Sequence, residues 1–240
     1  MSASLYLHSG GAAQGLVGAL ASAFERDAGV TINGTFGAVG AMREKLLAGE
    51  ASDVVILTAA LIRDLGASGH VRADEAVDVG LVTTSVAVRA GDPEPSVADL
   101  SSLREALLAA DEIFFPDPEK ATAGIHFASV LDKLGVRAQL QGRLRTFPNG
   151  ATAMAALARS TTGRPIGSTQ TTEILSTPGL TLVGPLPPGA ELATTYTAAL
   201  STRATQPEAA RELIRRLTSP ENAAARVKAG FLPSGQQQPS

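Results

Sequence analysis

The side chains of this chain best suited to proton transfer are two histidines and one glutamate. His8 closes the short apolar stretch Ser4-Leu5-Tyr6-Leu7-His8, and His126 falls two residues after Gly124, near an expected helix start. Imidazole titrates close to neutral pH, so either ring can exchange a proton with a substrate carbon or oxygen, and either can equally be a packed or orienting histidine. Glu173 follows Gly167-Ser168-Thr169-Gln170-Thr171-Thr172 and is a third candidate base, although an acid early in a helix more often serves the dipole or a cap. Asp117 before Pro118 shapes a loop, because an unpaired carboxylate repels an anionic ligand. Tyr196 can reach a ligand or pack at a hinge, and His70 beside Gly69 is a loop residue. Ser9, in Ser9-Gly10-Gly11, has no neighbouring sign of a Ser/His/Asp triad, so its hydroxyl reads as a ligand contact rather than a nucleophile. The same tripeptide lacks the Walker and dinucleotide patterns. With 3 scattered histidines and no cysteine, no metal-ligand spacing arises, and no cofactor is expected.

Composition narrows the partners. The 240 residues are 44% hydrophobic and 18% charged, enough for a sizeable core without disulfides. A formal net charge of -3, with no Lys/Arg run, lacks the electrostatic footprint of a nucleic-acid binder or a polybasic membrane patch. The apolar runs are far short of the roughly 20 residues that span a bilayer, so no membrane insertion is expected. Met1 to His8 shows no basic segment, apolar core or small-residue cleavage site. The chain as it stands is therefore expected in the cytoplasm, or in the periplasm if a leader has been removed.

These residues need elements to position them, and the pattern supplies an α/β fold. Ser4–His8 reads as a strand ending in a tight loop. Leu16, Leu20, Ala23 and Phe24 recur at helical spacing over 12–28, and Gly29 stands where a helix ends. A second strand at Val30–Ile32 is followed by a loop over 34–40, then a helix over 41–48 closed by Gly49. Asp53–Thr58 is a continuous apolar strand of the kind found in parallel sheets, and 61–68 is a helix. Alternation of this sort implies right-handed βαβ units. Leu81–Val88 is a long alternating segment suited to passing from one lobe to another, with a crossing near Thr83. A second α/β set follows: helices over 101–110, 124–134 and 150–159, and strands over 112–115, 144–147, 165–167 and 181–183. Glu191–Ser201 is the return crossing, helices over 207–217 and 220–229 finish the chain, and Gln236–Ser240 is a frayed tail.

Several pieces, in this order, resemble the molybdate-binding proteins of ABC transporters and the wider type II periplasmic solute-binding family. They are the Ser9 loop, Phe36-Gly37-Ala38-Val39-Gly40, Ala48-Gly49-Glu50-Ala51-Ser52-Asp53-Val54-Val55-Ile56, Asp117-Pro118 with Ala123-Gly124-Ile125, and Ala229-Gly230-Phe231. The resemblance implies two Rossmann-like lobes joined by two hinge strands, residues 1–82 with 197–240 and residues 83–196, holding a small anion in a cleft that closes about the hinge. It also implies an anion site of hydroxyls and helix-start amides, without a cationic side chain. By position it carries over Ser9, with Gly10 and Gly11 allowing close backbone approach, then Ala123 and Gly124, and Asn149 and Gly150. Molybdate binders have a second ligand serine where this chain has Ala38-Val39, and a ligand tyrosine where it has Gln170, beside Thr169. A dry tetrahedral oxyanion needs nearly every oxygen matched, at roughly 1 to 3 kcal/mol per unmet group. Apolar Val39 and the amide of Gln170 therefore point to a small organic carboxylate.

Two functions follow from that reading. One is a solute-binding protein that closes on a small anion and, if exported, passes it to an ABC permease. The other is a cofactor-free isomerase that moves a proton on a small polycarboxylate with His126, Glu173 or His8 as base, aconitate isomerase being the analogy within the family.

Overall fold

The computed structural model describes residues 3–232, so the expected tail at 236–240 lies outside the described residues. In chain order the regular elements are β1 (Ala3–Gly10), α1 (Gln14–Ala28), β2 (Val30–Gly37), α2 (Val39–Leu47), β3 (Val54–Thr58), α3 (Ala59–Ala67), β4 (Val77–Arg89), α4 (Leu100–Ala109) and β5 (Glu112–Pro116). They continue with α5 (Thr122–Lys133), α6 (Arg137–Leu140), β6 (Leu144–Phe147), α7 (Gly150–Arg159), β7 (Pro165–Gln170), α8 (Thr171–Leu175), β8 (Leu180–Pro185), β9 (Ala193–Leu200), α9 (Pro207–Thr218) and α10 (Ala223–Lys228).

The chain divides into two compact units, each with its own α/β core. The first takes the chain up to Val82 and again from Thr194, and the second is Thr83–Ala193. The return was expected after residue 196. It falls earlier because β9 pairs antiparallel with β3 from Tyr196 opposite Thr58 onward, which commits Tyr196 to the first unit.

In the first unit β1 is flanked by β2 and β3, both parallel to it, and β9 lies beyond β3. Leu5, Leu7 and Ile56 from the strands pack with Leu16 and Phe24 of α1, Leu213 and Leu217 of α9, and Phe231. Gly29 ends α1 at φ 66°, a left-handed backbone that glycine adopts without a Cβ penalty. Asp53 is a buried junction. One carboxylate oxygen accepts from the Tyr6 amide at 2.8 Å, and the other from the amides of Thr205 and Gln206 at 2.5 and 2.9 Å, tying β1 and β3 to the lead into α9.

Three local expectations shift. The segment over 34–40 is not a loop: β2 continues to Gly37, its register with β1 holding through Gly10 opposite Gly37, and α2 begins at Val39. Helix α3 starts at Ala59, because the Thr58 hydroxyl accepts from the Leu61 amide and caps it. The terminal helix over 220–229 begins as a tight 3-10 turn, Pro220–Asn222, before α10.

In the second unit β5 lies between β6 and β7, all parallel, and β4 pairs antiparallel with β7 and with β8. One face of this sheet carries Ile113, Phe115 and Ile166 against Leu103, Phe127 and Leu131; the other carries Phe114 against Met154, Leu157 and Ile174. The short helix α8, in whose first turn Glu173 stands as the sequence reading has it, follows β7 directly and brings Glu173 to the strand end.

Candidate functional site

In open parallel sheets, ligands bind at the loops beyond the carboxyl ends of the strands. In the first unit those loops follow β1, β2 and β3, and at the last of them the Thr58 hydroxyl already caps α3. Ser9 is fully buried at the end of β1, and its hydroxyl donates to the Gly10 carbonyl at 2.8 Å. Gly11–Ala13 form a 3-10 turn into α1 whose N-cap, Gly10, offers no side-chain acceptor; Ala38, the N-cap of α2, offers none either. Both helix starts thus leave their first amides without a side-chain cap. A Cβ on Gly10 would stand 2.9 Å from Val39 Cγ1 and 2.9 Å from Tyr196 Cε1, so only glycine lets this strand end, α2 and β9 close together. Ser9, Gly10, Gly11, Ala38 and Val39 are therefore neighbours here, joined by Tyr196.

His8 is not among them. Strand alternation turns it to the opposite face from Ser9, where its Nε2 lies 3.8 Å from a Glu50 oxygen. Burial lowers its pKa, outweighing the opposite pull of Glu50, so the ring is neutral at pH 7 and the contact is not an ion pair.

In the second unit the strand-end loops follow β5, β6 and β7. After β5, Asp117 turns its carboxylate inward on its own loop, accepting from the amides of Glu119 at 2.7 Å and Lys120 at 3.0 Å. A Cβ at Gly124 would meet the Asp117 and Pro116 carbonyls at 2.2 and 2.4 Å, so the first turn of α5, with buried Ala123, presses directly onto the end of β5. Its N-cap, Ala121, has no side-chain cap bond. His126 stands two residues on, about 200° around the helix from Gly124. Its Nε2 pairs with the Ala190 carbonyl at 2.7 Å, which fixes the proton on that nitrogen and tethers α5 to the loop before β9. Orientation, rather than proton transfer, is what this geometry supplies.

After β6, Asn149 caps α7 through a capping box with Thr152, its side-chain oxygen accepting from the Thr152 amide at 2.9 Å. The start of α7 already holds a carboxyl group of the protein's own. The Glu173 carboxylate, 5% exposed, accepts from the Thr169 hydroxyl at 2.5 Å and from the amides of Gln170 and Ala151. A Cβ on Gly150 would fall 1.8 Å from a Glu173 oxygen, so the missing side chain is the seat of this carboxyl group. Burial drives its pKa up to about 7, more than its three hydrogen bonds draw it down. Asn149, Gly150, Thr169 and Glu173 thus form one constellation, in which α7 serves Glu173.

Gln170 ends β7 at 2% exposure, and neither its amide oxygen nor its nitrogen finds a hydrogen-bond partner among the described residues. The hydroxyls of Thr84, Ser168 and Thr172 are buried without partners in the same way. By contrast Thr171 is fully engaged: its Oγ1 donates to the Thr83 carbonyl at 2.8 Å and meets the hydroxyls of Thr83 at 2.8 Å and Ser85 at 2.7 Å. Sequence reasoning missed Thr83, Thr84 and Ser85, since a Thr-Thr-Ser run inside an alternating strand carries no signal until its partner strand is known. The apolar recess walled by Val88, Pro95, Ala106, Pro165 and Ile166 lies at the other, amino-terminal edge of the parallel strands and contains none of these residues.

Comparison with known proteins agrees with this architecture. A family described as bacterial extracellular solute-binding protein matches residues 5–232. An aconitate isomerase of a Pseudomonas species is 28% identical over 231 residues, 94% of this chain and 86% of that protein. The fold is that of the periplasmic molybdate-binding protein of Azotobacter vinelandii, with a TM-score of 0.78, 17% identity and coverage of 95% and 98% of the two chains. It is also that of the sulfate-binding protein SubI of Mycobacterium tuberculosis, with a TM-score of 0.75, 19% identity and coverage of 98% and 88%. Two α/β units built around parallel strands, uncapped helix starts beyond those strands, and a family match along nearly the whole described chain make this protein a member of the bacterial extracellular solute-binding protein family.

Proposed function

We propose that this chain binds a small organic carboxylate rather than a tetrahedral oxyanion such as molybdate; the groups offered for it are, in the first unit, the Ser9 hydroxyl and the uncapped helix-start amides near Gly11, Ala38 and Val39, and, in the second, those near Ala123 and Gly124 and the side chain of Gln170. The observation that carries the reading is the Gln170 amide, buried with both of its polar atoms unpartnered among the described residues. A carboxamide offers a donor and an acceptor together, which suits a ligand with a carbon skeleton and mixed polar groups. A fully ionised oxyanion, like an ionised carboxylate group taken alone, only accepts, so the amide oxygen calls for a donor carried elsewhere on an organic skeleton. The apolar Val39 beside Gly10 supports the same choice, since it can cover carbon but not oxygen. Where the chain is exported, an ABC permease is its partner; no helix among the described residues is long and apolar enough to cross a membrane. Calorimetric titration with di- and tricarboxylates, set against molybdate, tungstate and sulfate, tests this. Tight binding of an inorganic oxyanion with no response to any carboxylate would overturn it.

A second reading is favoured by Glu173 and by the relative named as an aconitate isomerase. A carboxyl group poised near pH 7 can take a proton from a CH2 flanked by a carboxylate and a C=C. The C–H electron pair becomes the new double bond, and the far carbon of the old double bond is protonated, with no net redox change. Incubation with cis- and trans-aconitate in deuterated buffer, followed by NMR, tests it. Deuterium incorporation lost in Glu173→Gln supports it, and the absence of exchange with a bound polycarboxylate rejects it.

A further inference from the structure

Thr84 and Gln170 stand directly opposite one another on the antiparallel strands β4 and β7, and Ser168 lies two residues before Gln170, opposite Val86. Directly opposed residues share a face with Cβ atoms about 5 Å apart, so these three side chains form one short row. All three are at most 2% exposed. Their four polar atoms, Thr84 Oγ1, Ser168 Oγ and the two of the Gln170 amide, have no partner among the described residues. The other face of the same strands behaves differently: Thr169 donates to Glu173, and Ser85 is bonded to Thr171. The row continues into apolar packing through Val86 and Ile166, which belong to the core of this unit. None of its members is ionisable. So many unmet buried groups in one place are rare in folded proteins, where nearly every buried donor and acceptor is matched.

Resting on the carboxylate reading, we infer that Thr84, Gln170 and Ser168 form a subsite for an un-ionised hydroxyl, so that the acid this chain takes is a hydroxy acid. A hydroxyl donates to the amide oxygen of Gln170 while accepting from its NH2 or from a neighbouring hydroxyl. An ionised carboxylate or inorganic oxyanion placed there sets its lone pairs against that same oxygen, and an ammonium leaves the NH2 unmet. Thr84, which the family resemblance does not point to, becomes a specificity-determining residue beside Gln170.

Acids that differ by one hydroxyl provide the test: malate against succinate, and citrate against tricarballylate, titrated calorimetrically into the whole chain. The wild-type protein is expected to favour the hydroxylated member of at least one pair by about tenfold or more. Thr84→Val and Gln170→Leu, which remove polar atoms while keeping volume, are expected to shrink that ratio to within about threefold. Ser9→Ala weakens both members alike and leaves the ratio standing. Equal wild-type affinity for both members of each pair overturns the subsite while leaving the carboxylate reading intact, and it does so even if the variants fail to fold. Binding of sulfate or molybdate with no acid bound overturns both.

Discussion

At the residue scale the most informative group is Glu173, because one position combines a steric, an electrostatic and a chemical statement. Its carboxyl occupies the space that Gly150 leaves open, so Gly150→Ala is expected to destabilise the protein by about 1 to 3 kcal/mol in urea unfolding, as overpacking does. In combination with Glu173→Ala the loss should be smaller than the sum of the two single losses. Its titration predicts a pH dependence of stability. The folded pKa, about 7, lies above the ordinary 4.5, so between these values the folded state holds a proton that the unfolded chain has released. The associated stability is fully present below pH 4.5 and is lost as pH rises through 7. Unfolding free energies measured between pH 5 and 8 should therefore fall for wild type relative to Glu173→Gln, by an amount on the order of 1 to 3 kcal/mol. A flat difference between the two proteins across that range would show that the carboxyl titrates normally.

At the element scale, what matters is how helix starts and strand ends are tied down. Asp53, itself buried, accepts three backbone amides from two distant segments, and Asp53→Ala removes all three part-buried hydrogen bonds at once. A loss of about 3 kcal/mol in chemical denaturation is expected, since three hydrogen bonds at roughly 1 kcal/mol each are lost together. Asn149→Ala removes one cap from α7 and should cost only about 1 kcal/mol. The order of effect, Asp53 above Asn149, is the sharper expectation. Helices α2 and α5 show the opposite arrangement, with alanine N-caps that offer their first amides no side-chain acceptor. Periodicity placed most elements correctly and blurred their ends. Gly34 and Gly37 read as loop because glycine punctuates loops, yet both lie in β2, where the Phe36 ring covers the Cβ space of Gly34 and the β1 register runs on to Gly37.

At the scale of the whole molecule, the net charge is -3 and the residues proposed to hold the anion include no lysine or arginine. Anion affinity should accordingly stay flat or rise slightly as NaCl is raised from about 0.05 to 0.5 M, because screening relieves overall repulsion and has no cationic clamp to weaken. A steep fall in affinity with salt, measured by calorimetry, would point to a basic site elsewhere. The two-unit α/β plan was legible in the sequence, since alternating strand and helix periods, an apolar parallel strand at Asp53–Thr58 and a long segment crossing at Thr83 follow from local burial alone. Ser9 and Gly10 stand out locally, as a lone hydroxyl and a glycine after a strand, whereas Ala38 and Val39 are pointed to only by position, through the family resemblance. The amino-acid order by itself did not say which way side chains turn or what they meet. His8 looked like a candidate base until strand alternation set it on the face away from Ser9, and His126 until Ala190, 64 residues later, took its Nε2. That Thr84 faces Gln170, and that Glu173 sits where Gly150 has no side chain, depend on strand register and helix docking across long chain separations. Only tertiary structure decides those, because burial and hydrogen-bond partners are properties of neighbours in space.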